Sequence, residues 1–189
     1  MNEYRKFIHY LSSNNIDRVF LNSDEDKMLS VFIEMFKSAQ KEFRLFSGSL
    51  TNDSVNTSEY IEALSDFIEK DGSALYILLN NYQEDKIKDS DLFRRLAYYQ
   101  ANGHNIILKY TTKELYFKGD KEKIPVHLAV GDQESFRLET NIEKRTAICN
   151  MHNPEIARGY ISVFDDIFNG NDSTPIDLAE IFGLKEEHK

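Results

Sequence analysis

The residue most able to do chemistry is a histidine inside an apolar strand, Val126-His127-Leu128-Ala129-Val130. An imidazole in such a place is either tied to a carboxylate or a carbonyl as architecture, or is a group that attacks or moves a proton. Two carboxylates are within reach of it in sequence. Asp132 lies in the turn Gly131-Asp132-Gln133, and Glu139 ends the returning segment Ser135-Phe136-Arg137-Leu138-Glu139. Either would orient the ring. His152 follows the short apolar strand Thr146-Ala147-Ile148-Cys149-Asn150 and is expected to approach His127 at the same end of the sheet.

The other chemistry-bearing residues give weaker signals. The five histidines, His9, His104, His127, His152 and His188, show no i, i+4 pairing and no recognised ligand spacing, so no metal site and no cofactor are expected. Cys149, in an apolar strand, is expected to be inert core. Ser47-Gly48-Ser49 follows a strand, and in a parallel sheet the carboxyl ends of the strands face a ligand crevice. Ser47 and Ser49 are therefore candidate ligand contacts, with Asp132, Asn150 and His152. No Walker A sequence, G-x-G-x-x-G fingerprint or G-x-S-x-G elbow is present. Lys86, Lys88, Arg94 and Arg95 form one basic group; Lys109, Lys113, Lys118, Lys121 and Lys123 form another, with Tyr110, Tyr116 and Phe117 between them. Such a mixture can hold single-stranded nucleic acid, but Glu114, Asp120 and Glu122 dilute the second group, which reads first as a solvated loop.

The bulk composition narrows the class. The chain has 189 residues, 41% hydrophobic and 29% charged, enough for one domain with a real core. A net charge of −9 disfavours nucleic acid and anionic membranes as partners. No apolar run reaches the roughly 18 residues of a membrane span, and none follows Met1 as a signal peptide requires. One cysteine excludes an internal disulfide framework and suits a reducing cytoplasm.

The elements that must position these residues can be read from periodicity. A helical extension is expected over 1–22, with Tyr4, Phe7, Ile8 and Leu11 at helical spacing. Asn22-Ser23 is read as the cap of a helix from Asp24 to Lys41 with an apolar stripe of Met28, Val31, Phe32, Met35, Phe36 and Ala39. Strands are expected at 43–46, 74–79 and 105–110, with helices after Asn56, where Glu59 completes a capping box, and after Ser90-Asp91. Lys113 to Lys123 reads as a charged loop turning at Gly119-Asp120. Asn153-Pro154 opens a helix that buries Ile156, Tyr160, Val163, Phe164, Ile167 and Phe168. Thr174-Pro175 reads as the start of a last short helix, and Glu186 to Lys189 as a solvated tail. The order, α-β-α-β-α-β, then β-β-β and α, implies an α/β protein: a three-layer α/β/α sandwich with a mixed, largely parallel sheet. The expected division is an extension over 1–22, an α/β domain over 23–170, and a helix and tail over 171–189.

Val126-His127-Leu128, the following hairpin, Ala147-Ile148-Cys149-Asn150, Asn153-Pro154-Glu155-Ile156-Ala157 and Val163-Phe164 together resemble the phospholipase D-like superfamily over about residues 24 to 170. The resemblance implies a hairpin motif His-x-Lys-x-x-x-x-Asp, in which one histidine attacks phosphorus, a second copy protonates the leaving group, and the lysines bind phosphate oxygens. Here the lysine position holds Ala129 and the aspartate position holds Glu134. The family's Gly-Ser-x-Asn segment is replaced by Phe136-Arg137-Leu138-Glu139. With one motif copy, activity would require a homodimer that joins two His127 side chains. Arg137 could supply some of the missing charge from the paired strand. His127, Arg137 and Glu139 are thus the candidate catalytic set.

Phosphoryl transfer depends on positioning and on stabilising equatorial oxygens. Loss of one such donor costs on the order of a hundredfold to a thousandfold. The leading expectation is therefore a catalytically degenerate domain that binds or regulates through protein contacts, as a homodimer or in a larger assembly. The alternatives are a homodimeric, metal-independent phosphodiesterase or nuclease using His127, and a sensor of an anionic, phosphate-containing ligand.

Overall fold

A computed structural model describes residues 3–118 and 123–184. The expected turn at Gly119-Asp120, Lys121, Glu122 and the expected tail with His188 lie outside the described residues. In chain order the elements are α1 (Glu3–Ser13), β1 (Phe20–Asn22), α2 (Glu25–Ser38), β2 (Glu42–Ser47), α3 (Ser58–Ile68), β3 (Ala74–Leu79), α4 (Glu84–Lys88), α5 (Asp91–Ala101), β4 (Asn105–Thr111), β5 (Tyr116–Lys118), β6 (Lys123–Pro125), β7 (His127–Gly131), β8 (Ser135–Asn141), β9 (Thr146–Asn150), α6 (Pro154–Phe168), β10 (Ser173–Ile176) and α7 (Leu178–Ile181).

Eight strands form one mixed sheet in the order β1-β9-β8-β7-β2-β3-β4-β10, and β5 and β6 form a separate hairpin. Parallel pairing is confined to β2–β3 and β3–β4, the strands joined by helical crossovers. Every other junction of the sheet is antiparallel. The expectation of a largely parallel sheet is not met. The cause is the run β7-β8-β9, which folds back on itself through tight turns, and the two edge strands β1 and β10, which the sequence does not announce.

The local signals hold where a side chain caps a helix. Ser90 accepts a hydrogen bond from the Phe93 N–H, and Asn153 accepts from the Ile156 N–H with Pro154 at the first turn. Two caps are shifted from expectation: Asp24 rather than Asn22-Ser23 caps α2, and Thr57 rather than Asn56 caps α3. Asn56 instead accepts from the Ser90 hydroxyl and the Leu92 N–H, binding α3's loop to α5. Two segments differ in kind. The Lys113–Lys123 stretch contains β5 and the start of β6, and Thr174-Pro175 lies in edge strand β10, where a proline's missing N–H is tolerated.

Successive residues of β2 point to opposite faces, and two separate cores result. Phe43, Leu45, Leu75, Ile77 and Ala129 join the cluster built with α1, α2, α3 and α5. Phe46, Leu78, Leu128, Val130, Phe136 and Leu138 pack with Ala157, Phe164 and Phe168 of α6. Ile156 and Val163, expected in that second core, are 40% and 45% exposed, because α6 turns only its Ala157-Phe164-Phe168 side to the sheet.

Candidate functional site

The β7–β8 register sets the site. His127 lies opposite Glu139 and Ala129 lies opposite Arg137. Directly opposed residues share a face, so one imidazole, one carboxylate and one guanidinium are brought to the same side, beneath α2. Glu139 Oε2 is 2.7 Å from His127 Nδ1, and Arg137 Nη2 donates to Glu139 Oε1 at 2.9 Å. Arg137 Nε donates to Asn22 Oδ1 at 3.0 Å, and its guanidinium lies 5.2 Å from the centre of the Phe32 ring. Asn22 in turn donates to the Arg145 carbonyl. Arg137 and Glu139 side chains are each only 3% exposed.

Burial raises the pKa of the Glu139 carboxyl, but the His127 hydrogen bond and the Arg137 charge outweigh it and hold the group below its ordinary value. With Glu139 ionised, His127 Nδ1 is the donor, and in the neutral ring Nε2 then carries the lone pair. The carboxylate thus fixes the tautomer and orientation of the ring, as a base or nucleophile would need. The surroundings restrict access, however. Ser47, Asn52, His127 and Arg145 line a cavity of about 20 Å³, room for roughly one water. A Cβ placed on Gly48 would come 3.7 Å from His127 Cε1 and Nε2, so the Ser47-Gly48-Ser49 turn lies over the imidazole. Ser49 Oγ is itself paired with Thr51 Oγ1 at 2.8 Å.

The structure brings His127, Arg137, Glu139 and Ser47 together and places Asp132, Asn150 and His152 elsewhere. Asp132 is just past the other end of β7, roughly 16 Å away at about 3.3 Å per residue. Its carboxylate accepts from the N–H groups of Gln40, Lys41 and Glu42 at 2.8, 2.8 and 2.9 Å, closing the α2–β2 connection. It adopts a positive φ of 49° in the turn, a conformation aspartate tolerates better than most residues. Asn150 donates to Asp17 at 2.7 Å and accepts from the His152 N–H at 2.9 Å. His152 Nδ1 lies 3.6 Å from Glu134 Oε2. The expected approach of His127 and His152 does not occur, because β9 runs antiparallel to β8 and its last residue, Asn150, pairs with Phe136, far from Glu139. Among the described residues no group of three His, Cys, Asp or Glu side chains is placed to hold a metal.

Sequence reasoning missed Asn22 and Arg145. Asn22 reaches the site through β1–β9 pairing, which joins positions more than a hundred residues apart and leaves no periodic signal in a three-residue strand, and Arg145 reaches it from the turn between β8 and β9, with Nη1 3.9 Å from Glu139 Oε2. The basic residues are partly engaged internally: Lys109 Nζ bonds the Phe168 carbonyl and lies 4.4 Å from that ring's centre, and Lys88, Arg94 and Lys113 pair with Glu84, Asp91 and Asp172.

No family model matches the sequence, and no curated protein matches it. Solved structures do. Nuc from Salmonella typhimurium, a phospholipase D family member, aligns at a TM-score of 0.57 and 13% identity over 85% of this chain and 98% of its own. NucT from Helicobacter pylori aligns at a TM-score of 0.53 and 10% identity over 85% and 99%. The fold is phospholipase D-like. The archaeal chromatin protein TrmBL2, whose structure shows a novel mode of DNA binding, has a TM-score of 0.56 and 15% identity, and the chain covers 60% of it. Phosphatidylserine synthase from Haemophilus influenzae has a TM-score of 0.56 and 9% identity, with 41% covered. Within this phospholipase D-like fold Ala129 is 1% exposed and offers no cation at the position where the resemblance implies a lysine.

Proposed function

We propose that this phospholipase D-like domain has lost phosphodiester transfer and works as a binding or regulatory module through protein contacts. One observation carries the reading: Arg137, which shares Glu139 with the imidazole, is buried and already bound to Glu139 and Asn22, and the other guanidinium lining the cavity, Arg145, lies 3.9 Å from Glu139 and 4.0 Å from Glu25. Ala129 supplies nothing in its place, and stabilisation of the equatorial oxygens is what the reaction requires. Self-association belongs to the same reading. Exposed Ile156 and Val163 on α6, with Val19 before edge strand β1 and Leu21 on it, offer apolar surface for it. The architecture is read as a three-layer α/β/α sandwich, in line with the two cores on opposite sides of the sheet, and the setting as cytoplasmic, in line with a lone cysteine.

A second reading has one observation in its favour. The Glu139 bond to Nδ1 leaves His127 Nε2 free, as an attacking imidazole requires, so a homodimer pairing two such rings would be a metal-independent phosphodiesterase or nuclease. The deciding experiment is hydrolysis of bis(p-nitrophenyl) phosphate and of single- and double-stranded DNA with EDTA present. Wild type and His127→Ala would be compared, with the oligomeric state read by light scattering. The proposal expects equal background rates. Activity lost in His127→Ala would overturn it in favour of the dimeric enzyme.

A further inference from the structure

A groove of about 490 Å³ opens between α3 and α5, away from the β7–β8 hairpin, lined by Ile61, Asp91, Arg94, Arg95 and Tyr98. That volume lies within the range of binding pockets, about 300–1,000 Å³. Helical periodicity builds its polar wall. α5 buries Leu92, Phe93, Leu96, Ala97 and Tyr99 in the core. Asp91, Arg94, Arg95 and Tyr98 are spaced i, i+3, i+4 and i+7, which sets them together on the face that the core leaves open. Tyr98 is 55% exposed, and its ring stands edge-on to Tyr99 with 5.7 Å between centres. Ile61 of α3 supplies an apolar wall.

The charge of this groove runs against that of the chain. The whole sequence carries −9, yet here two arginines stand against one aspartate. The Arg94–Asp91 contact, at 2.8 Å, joins side chains that are 60% and 70% exposed. An exposed pair of this kind stabilises little, so Arg94 can exchange Asp91 for another carboxylate. Arg95 approaches the Tyr99 hydroxyl and has no carboxylate partner among the described residues. Arginine and tyrosine are also the residue types enriched at protein contacts, where they carry much of the binding energy.

We infer that the α3–α5 groove docks an acidic segment of a partner protein, with carboxylates on Arg94 and Arg95 and an apolar side chain between Ile61 and Tyr98. The inference rests on the reading of this domain as a protein-binding module and adds the chemistry of the partner. A guanidinium fork matches a carboxylate with two parallel hydrogen bonds. Two cations beside an apolar wall suit a peptide better than a nucleic acid, whose affinity comes from neutralising a run of phosphates.

The test is a backbone amide NMR titration of the full chain with acetyl-Glu-Glu-Phe-Glu-Glu-amide. Acetyl-Gln-Gln-Phe-Gln-Gln-amide removes the charge, acetyl-Glu-Glu-Ala-Glu-Glu-amide removes the apolar anchor, and an oligothymidylate stands for nucleic acid. The inference expects saturable shifts at Ile61, Arg94, Arg95 and Tyr98 with the first peptide, weaker binding of the alanine peptide and none of the glutamine peptide. Arg94→Glu should weaken binding severalfold, and Arg94→Glu with Arg95→Glu at least about tenfold. Both positions are exposed, so the fold should be kept. The double variant should bind acetyl-Lys-Lys-Phe-Lys-Lys-amide instead. Lys144→Glu, on the exposed β8–β9 turn, should leave binding unchanged. No saturable shift in the groove, undiminished binding by the double variant, or tighter binding of the glutamine peptide or the oligothymidylate would overturn the inference. Failure here with no hydrolysis at His127 strikes the groove alone, whereas hydrolysis lost in His127→Ala strikes the module reading.

Discussion

The two ends of the β7–β8 hairpin carry similar residue types and put them to opposite use. At the His127 end an imidazole, a carboxylate and a guanidinium are bonded to one another and covered by α2 and the Gly48 turn, around a cavity of about 20 Å³. At the Asp132 end one carboxylate closes a loop, another pairs with the exposed His9, and a groove of about 350 Å³ stays open between them. The difference shows that the presence of a histidine, a cation and a carboxylate does not make a site. What matters is whether their donors and acceptors are already satisfied from within.

The comparison breaks most readily at Arg137. Arg137→Met leaves Glu139 charged and buried without its cation, and should cost about 3–5 kcal/mol, read as a shift in the urea midpoint. Combining it with Glu139→Leu should recover much of that loss, since replacing a whole buried ion pair by apolar groups is often near neutral. A small effect of the single change would mean that the His127 end is solvated rather than locked.

Acid sharpens the same contrast. Glu139 ionises more readily in the folded state than in the unfolded one, so its contribution is fully present above the ordinary carboxylate value of 4.5 and is lost as pH falls through the depressed folded value. The stability gap between wild type and Glu139→Gln should therefore narrow as a melting series is taken from neutral pH into that range.

Asp132→Ala removes three hydrogen bonds to a carboxylate at a turn and should cost about 2 kcal/mol in the same denaturation. Glu34→Gln, at the open end, should change stability by less than about 1 kcal/mol, since its partner His9 is 57% exposed and solvent weakens the pair. The smallest effect is at Cys149. Burial pushes its thiol up to about 12, so it should stay unreactive to a thiol reagent in the native protein and react on unfolding.

The legible part of the molecule was the part with local cause. Caps such as Ser90 and Asn153, the apolar strand Ala74–Leu79 and the stripe on α2 are periodic or short-range, and they fall where spacing puts them. The His127–Glu139 pairing was also within reach, because a tight hairpin fixes which residues oppose each other. The edge strands were not. Phe20–Asn22 and Ser173–Ile176 are too short to show alternation, and each gains its identity from a distant partner. That gap hid Asn22, and with it the reason Arg137 is held inside the protein.

The most direct measurement is an NMR titration of the histidine ring resonances with inorganic phosphate and vanadate. Closure of the His127 end predicts that the His127 signals stay in place into the millimolar range, with a donated Nδ1 proton. A saturable shift of His127 Nε2 would contradict the account and show that an anion reaches the imidazole.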